Sequence, residues 1–162
     1  MHKLYLYYTV EAKLMEYLVM CIGNRDGGDD AAGPYIADKL KSLENNDFLV
    51  IDCGVVPENY TSVVKKHKPR NLIIVDAVEM GLKTGEINIV PKEKIGSMHI
   101  STHGIPISVL INYLEQHIEN IIFIGIQPET MSGNMTSSVK RSSEKIVEII
   151  KNNKLEELET LQ

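Results

Sequence analysis

The stretch that decides the fold is Tyr17-Leu18-Val19-Met20-Cys21-Ile22-Gly23-Asn24-Arg25-Asp26-Gly27-Gly28-Asp29-Asp30-Ala31-Ala32-Gly33-Pro34. Its apolar first third predicts a strand over 17–22. The Gly, Asn and Asp residues that follow suit a tight, irregular loop. Gly33-Pro34 then opens a helix, because proline is tolerated in a first helical turn. A strand, a glycine-rich loop and a helix in this order build an open α/β sheet. Such sheets place their chemistry in the crevice outside the carboxyl ends of the strands. The loop brings two adjacent carboxylates there, and either Asp29 or Asp30 can be aimed at a ligand.

The rest of the chain repeats the alternation. Helix one buries Ile36, Leu40 and Leu43, strand two is Phe48-Leu49-Val50-Ile51 ending at Asp52, and a helix near 58–67 follows. Strand three is Asn71-Leu72-Ile73-Ile74-Val75-Asp76. A fourth strand, Glu86-Ile87-Asn88-Ile89-Val90, is reached through the Gly81–Gly85 turn. Ser101 or Thr102 caps a helix running to about His117. Strand five is Asn120-Ile121-Ile122-Phe123-Ile124-Gly125-Ile126, and a terminal helix starts near Thr136 with Val139, Ile146 and Ile150 on one face. Continuous β-branched strands alternating with helices predict a three-layer αβα sandwich around a mostly parallel five-stranded sheet. The chain between strand three and 86–90 is too short for a helical crossover, so that segment is an antiparallel partner or a small flap, and a mixed sheet is expected. The 162 residues form one domain, 1–162, with residues 1–16 as an N-terminal extension that is a strand or a helix.

Composition narrows the function classes. Hydrophobic residues make up 43% of the chain, enough for a packed core, and the net charge of −5 argues against a broad nucleic-acid face. The basic run Lys65-Lys66-His67-Lys68-Pro69-Arg70 reads as the solvated end of a helix. Cys21 and Cys53 form no CxxC pair and lie in or beside apolar strands, as reduced buried thiols do. No run approaches the ~18 apolar residues of a membrane span. Glu11, Lys13 and Glu16 interrupt the N-terminal apolar stretch too early for a signal peptide. The expectation is a cytoplasmic protein without membrane insertion. Dinucleotide, P-loop, nucleophile-elbow and zincin motifs are all missing from the sequence.

Three strands run into acids: Asp29-Asp30, Asp52 and Asp76. In a parallel sheet these ends share one edge. A carboxylate following a wholly apolar run needs a cation or several hydrogen bonds. His103, in Ile100-Ser101-Thr102-His103-Gly104, opens a helix whose positive end keeps an imidazole neutral and able to bind metal. His99 competes for that role but sits in the apolar setting of a flanking strand. Two carboxylates and one imidazole with an open position suit a borderline divalent metal such as zinc or nickel. The set Met80, Met98, Met131 and Met135 reads as core filler or loop residues, and Asn134-Met135-Thr136 as a helix cap.

These residues resemble the hydrogenase maturation endopeptidases that act on nickel–iron hydrogenases. The resemblance rests on Gly23-Asn24, Asp29-Asp30 and Gly33, then Val75-Asp76-Ala77 and Ser101-Thr102-His103. Asp76-Ala77-Val78-Glu79-Met80-Gly81-Leu82 and Gly125-Ile126-Gln127-Pro128-Glu129 are similar to the branch that processes hydrogenase 3. The resemblance spans residues 17 to about 150. It implies a phosphorylase/hydrolase-like fold and a peptidase that removes a short C-terminal peptide from the nickel-loaded large-subunit precursor, with that nickel as the recognition element. It implies Asp30, Asp76 and His103 as catalytic and metal-contacting residues, with Asn24, Asp29 and Asp52 in secondary or substrate-positioning roles. It also implies that nickel comes with the substrate, that zinc or cadmium can stand in at the site, and that no organic cofactor is used. The departure from the family lies in the polar segment Arg25-Asp26-Gly27-Gly28. Two other readings remain: a non-catalytic nickel-sensing chaperone, and a peptidyl-tRNA-hydrolase-like enzyme, which the acidic charge balance disfavours.

Overall fold

The computed structural model describes residues 14–96, 98 and 104–162. Five strands form one sheet: β1 (Tyr17–Ile22), β2 (Phe48–Gly54), β3 (Asn71–Ala77), β4 (Ile87–Ile89) and β5 (Asn120–Ile126). Their order is β2-β1-β3-β5-β4. β1 pairs in parallel with β2 and β3, and β3 with β5, while β4 runs antiparallel to β5. The mixed sheet expected from the short β3–β4 connection is therefore present.

The order matters for the site. From β1 the chain goes to one side for β2 and then crosses to the other side for β3. The connections diverge between β1 and β3, and a crevice opens at their carboxyl ends, as at the switch point of doubly wound sheets.

Successive side chains of a strand point to opposite faces, so a fully buried strand feeds two cores. Leu18, Met20, Leu72, Ile74 and Phe123 pack on one face against Val64 of α2 (Thr61–His67), Ile95 of α3 (Lys92–Ile95) and Ile107, Leu110 and Leu114 of α4 (Ile107–Leu114). Val19, Cys21, Ile73, Val75 and Ile124 pack on the other against Ile36 and Leu40 of α1 (Ala32–Leu40) and Val139, Ile146 and Ile150 of α5 (Ser137–Lys151). Leu72 through Val75 are completely buried, and truncating one of them to alanine costs about 2–5 kcal/mol. Both cysteines are buried and free. Met80 and Met98 pack against the first core and Met135 against the second, whereas Met131 is exposed. Among the described residues no helix is long and apolar enough to cross a membrane.

Helix boundaries depart from the sequence reading in three places. α1 begins at Ala32, two residues before Pro34. The helix expected near 58–67 is a one-turn 3-10 helix, Pro57–Tyr60, leading into α2. α4 starts at Ile107 behind an extended Pro106, because a proline inside the helix would break its ladder. Ser101 and Thr102 lie outside the described residues. The Thr136 cap of α5 is as expected: its hydroxyl accepts from the Val139 N–H.

The edge strand β4 is covered by the chain's own tail. The Ile89 N–H donates to the Glu159 carbonyl and the Leu161 N–H donates back to Ile89, both at 2.8 Å. An unpaired edge would otherwise invite pairing with another chain.

Candidate active site

Two close approaches shape the loop after β1. A Cβ on Gly33 would stand 2.0 Å from the Ile22 carbonyl oxygen, so only glycine lets α1 lie against the end of β1. A Cβ on Gly23, at φ +152°, would stand 1.9 Å from the carbonyl oxygen of Asp30. The loop folds back on itself over that glycine, and a one-turn 3-10 helix, Gly28–Ala31, presents the two acids.

The adjacent acids do different work. Asp29 is fully buried. Its Oδ2 accepts from the Glu129 and Thr130 N–H groups at 2.8 and 3.2 Å, and its Oδ1 from the Thr136 N–H and hydroxyl at 2.7 and 2.9 Å. Its own N–H donates to the Thr130 carbonyl at 2.8 Å. Burial alone would raise its pKa. The bonds from Glu129, Thr136 and Thr130 outweigh that and hold it below the ordinary carboxylate value. Asp29 thus ties the β1 loop to the β5–α5 connection.

Asp30 accepts at Oδ2 from the Asn24 N–H at 2.9 Å. It also acts electrostatically on Asp76. Asp76 is 2% exposed at the end of β3. It shares the strand parity of Leu72 and Ile74, and so belongs to the α2–α4 face. Burial pushes its pKa well above the usual range, the Asp30 charge pushes it further, and one bond involving the Ala77 backbone works against them. Burial and a neighbouring negative charge both favour the neutral carboxyl group.

Asp52 goes elsewhere. It pairs with Cys21 in register and shares the parity of Val50, the α1–α5 face. Its Oδ2 lies 2.7 Å from Nη2 of Arg25, and its Oδ1 accepts from the Gly54 N–H at 3.1 Å. The three strand-end acids share an edge, as expected, but only Asp30 and Asp76 form a coupled pair. Asn24 shapes the turn, its Oδ1 accepting from the Asp26 N–H at 2.9 Å. His103 and His99 lie outside the described residues. Among the described residues no three His, Cys, Asp or Glu side chains converge as a metal site.

Two residues near the site were not singled out by the sequence reading. Gln127 is buried: its Oε1 accepts from the Met80 and Leu82 N–H groups, and its Nε2 donates to Glu79 and the Pro128 carbonyl. The segments 76–82 and 125–129, separate in sequence, are therefore one hydrogen-bonded unit. Glu58 packs on Gly104, where a Cβ would stand 2.3 Å from its Oε1. Its Oε2 is buried without a hydrogen-bond partner among the described residues. A proline three residues past the end of β2, Pro57, was the available signal for that turn.

A sequence profile described as "Hydrogenase maturation protease" matches residues 34–153. The chain belongs to the hydrogenase maturation protease family. The hydrogenase 3 maturation protease of Escherichia coli K12 is 38% identical over 135 residues, 82% of this chain and 86% of the relative. A putative hydrogenase maturation protease of Methanocaldococcus jannaschii is 35% identical over 140 residues, covering 80% and 83% of the two chains. The solution structure of an Escherichia coli endopeptidase superposes with a TM-score of 0.83 at 34% identity, covering 91% of this chain and 97% of that one. These matches put the maturation protease on the hydrogenase 3 branch, and it is a peptidase.

Proposed function

We propose that this maturation protease cleaves a short C-terminal peptide from the precursor of a nickel–iron hydrogenase large subunit, and that nickel already held by the precursor is what it recognises. The observation that carries this reading is the Asp30–Asp76 pair at the divergence between β1 and β3. Two neighbouring carboxylates, one of which raises the cost of ionising the other, form an incomplete cation site. A divalent ion brought by the substrate removes that cost and lets Asp76 ionise. Carboxylate oxygens are suitable ligands for a borderline metal, and His103 is the proposed third contact. Once the tail is docked, an ionised carboxylate can accept a proton from the attacking water. The family's cytoplasmic setting and the absence of an organic cofactor belong to the same proposal.

The test is to incubate the protein with nickel-loaded and nickel-free precursor and to weigh the released peptide by mass spectrometry. Release from the loaded precursor alone is expected. Equal release from both would remove nickel as the recognition element, and release from neither would remove the peptidase assignment for that precursor.

A further inference from the structure

The geometry points to Arg25 as a positioning residue that sets the carboxylate of Asp30. The inference rests on the reading that Asp30 works at the site. The function above gives Arg25 no task.

Its guanidinium holds two elements at once. Nη1 and Nη2 make a fork onto Asp38 of α1 at 2.7 and 2.8 Å, and Nη2 also reaches Asp52 of β2 at 2.7 Å. A planar fork can serve both carboxylates together, which the point charge of a lysine cannot. From Asp52 the contacts return to the loop. Asp52 Oδ1 accepts from the Gly54 N–H at 3.1 Å, and the Gly54 carbonyl accepts from the Gly23 N–H at 2.9 Å. The ring Arg25–Asp52–Gly54–Gly23 thus encloses Asn24, whose peptide N–H donates to Oδ2 of Asp30. A cleft of about 310 Å³ lined by Asn24, Arg25, Asp52 and Val55 lies over this ring.

The side chains of Arg25 and Asp38 are 53% and 57% exposed, and exposed pairs of this kind contribute little to stability. Their three-point geometry therefore has its main consequence in orientation. With the clamp in place, the Asn24 N–H stays aimed at Oδ2 of Asp30 and contributes to how that carboxylate sits. Without it, the loop relaxes and Asp30 leaves that orientation.

The test compares Arg25→Ala, Arg25→Lys and Asp38→Asn with the unmodified protein, and Asp30→Asn serves as the control on the site reading. Three quantities are read: kcat and KM on nickel-loaded precursor, the thermal midpoint, and the Asn24 amide resonance of the free protein. For Arg25→Ala, kcat falls about tenfold and KM stays within about twofold, since a misplaced group loses rate rather than binding. The midpoint moves by only about 2–4 °C. The Asn24 amide proton shifts upfield and exchanges faster. Arg25→Lys recovers part of kcat, and Asp38→Asn moves every readout the same way by less. An unmoved Asn24 amide in folded Arg25→Ala or Asp38→Asn overturns the inference, as does a change confined to KM, which would make Arg25 a substrate contact. Full activity in Asp30→Asn would instead overturn the site reading, while the Asn24 resonance still tests the clamp.

Discussion

Asp29 and Asp76 are both buried at the same edge of the sheet, yet their surroundings drive them in opposite directions. Asp29 is met by four donors from the β5–α5 connection, which stabilise its charge in spite of burial. Asp76 is met by an apolar strand, one bond involving the Ala77 backbone and a second acid, all in a region without compensating cations among the described residues. One carboxylate is used to hold the chain together. The other is kept in a state that costs free energy, as functional groups often are. Burial by itself does not tell these roles apart; the count of donors does.

The largest expected effect lies on the Asp76 side. Asp76→Asn should lower precursor cleavage by about 10²–10⁴-fold, the usual span for a lost acid–base group, while leaving the fold intact. An active Asp76→Asn protein would break the comparison by making both acids structural. On the Asp29 side, Asp29→Ala leaves the Glu129, Thr130 and Thr136 N–H groups buried without an acceptor. It should cost about 3–4 kcal/mol in urea unfolding; a cost under about 1 kcal/mol would show that the four bonds are replaceable.

The same contrast predicts two pH dependences of opposite sign. Asp29 has a depressed pKa in the folded state, so its contribution is present above its unfolded value of ~3.9 and is lost as pH falls through the folded value. Asp76 has a raised pKa, so its relative contribution is full below ~3.9 and is lost as pH rises through the folded value. Unfolding free energies measured across pH should therefore show Asp76→Asn gaining on the unmodified protein as pH rises, and Asp29→Asn losing most above that lower limit. The smallest effect is at Thr136, whose hydroxyl caps α5 and also donates to Asp29. Thr136→Ala should cost about 1 kcal/mol, read as a shift in melting temperature.

Much of this was legible from local pattern. β1 and β5 have the expected bounds, because an unbroken apolar run flanked by polar residues has one way to be buried. The cap at Thr136 and the antiparallel β4 followed from residue chemistry and chain length. What local pattern missed were relations between distant segments. Asp29 carries a secondary or substrate-positioning role in the sequence reading, but its partners lie about a hundred residues further on. Asp52 was grouped with the site acids, but strand parity sends it to the opposite layer, where Arg25 takes it. The polar segment Arg25–Gly28 looked like an irregularity because Asp38 and Asp52, the groups that explain its arginine, are on other elements.

The sequence by itself determined the elements, their alternation and the set of acids at the strand ends. Those depend on periodicity, turn chemistry and the cost of burying charge, which act over a few residues. Only the tertiary structure decided which acids meet. The order β2-β1-β3-β5-β4 puts the ends of β1 and β3 side by side, and the two-residue period of each strand decides which face Asp52 and Asp76 join. From those two facts come the nearness of Asp30 to Asp76 and the capture of Asp52 by Arg25, while the β5–α5 connection encloses Asp29.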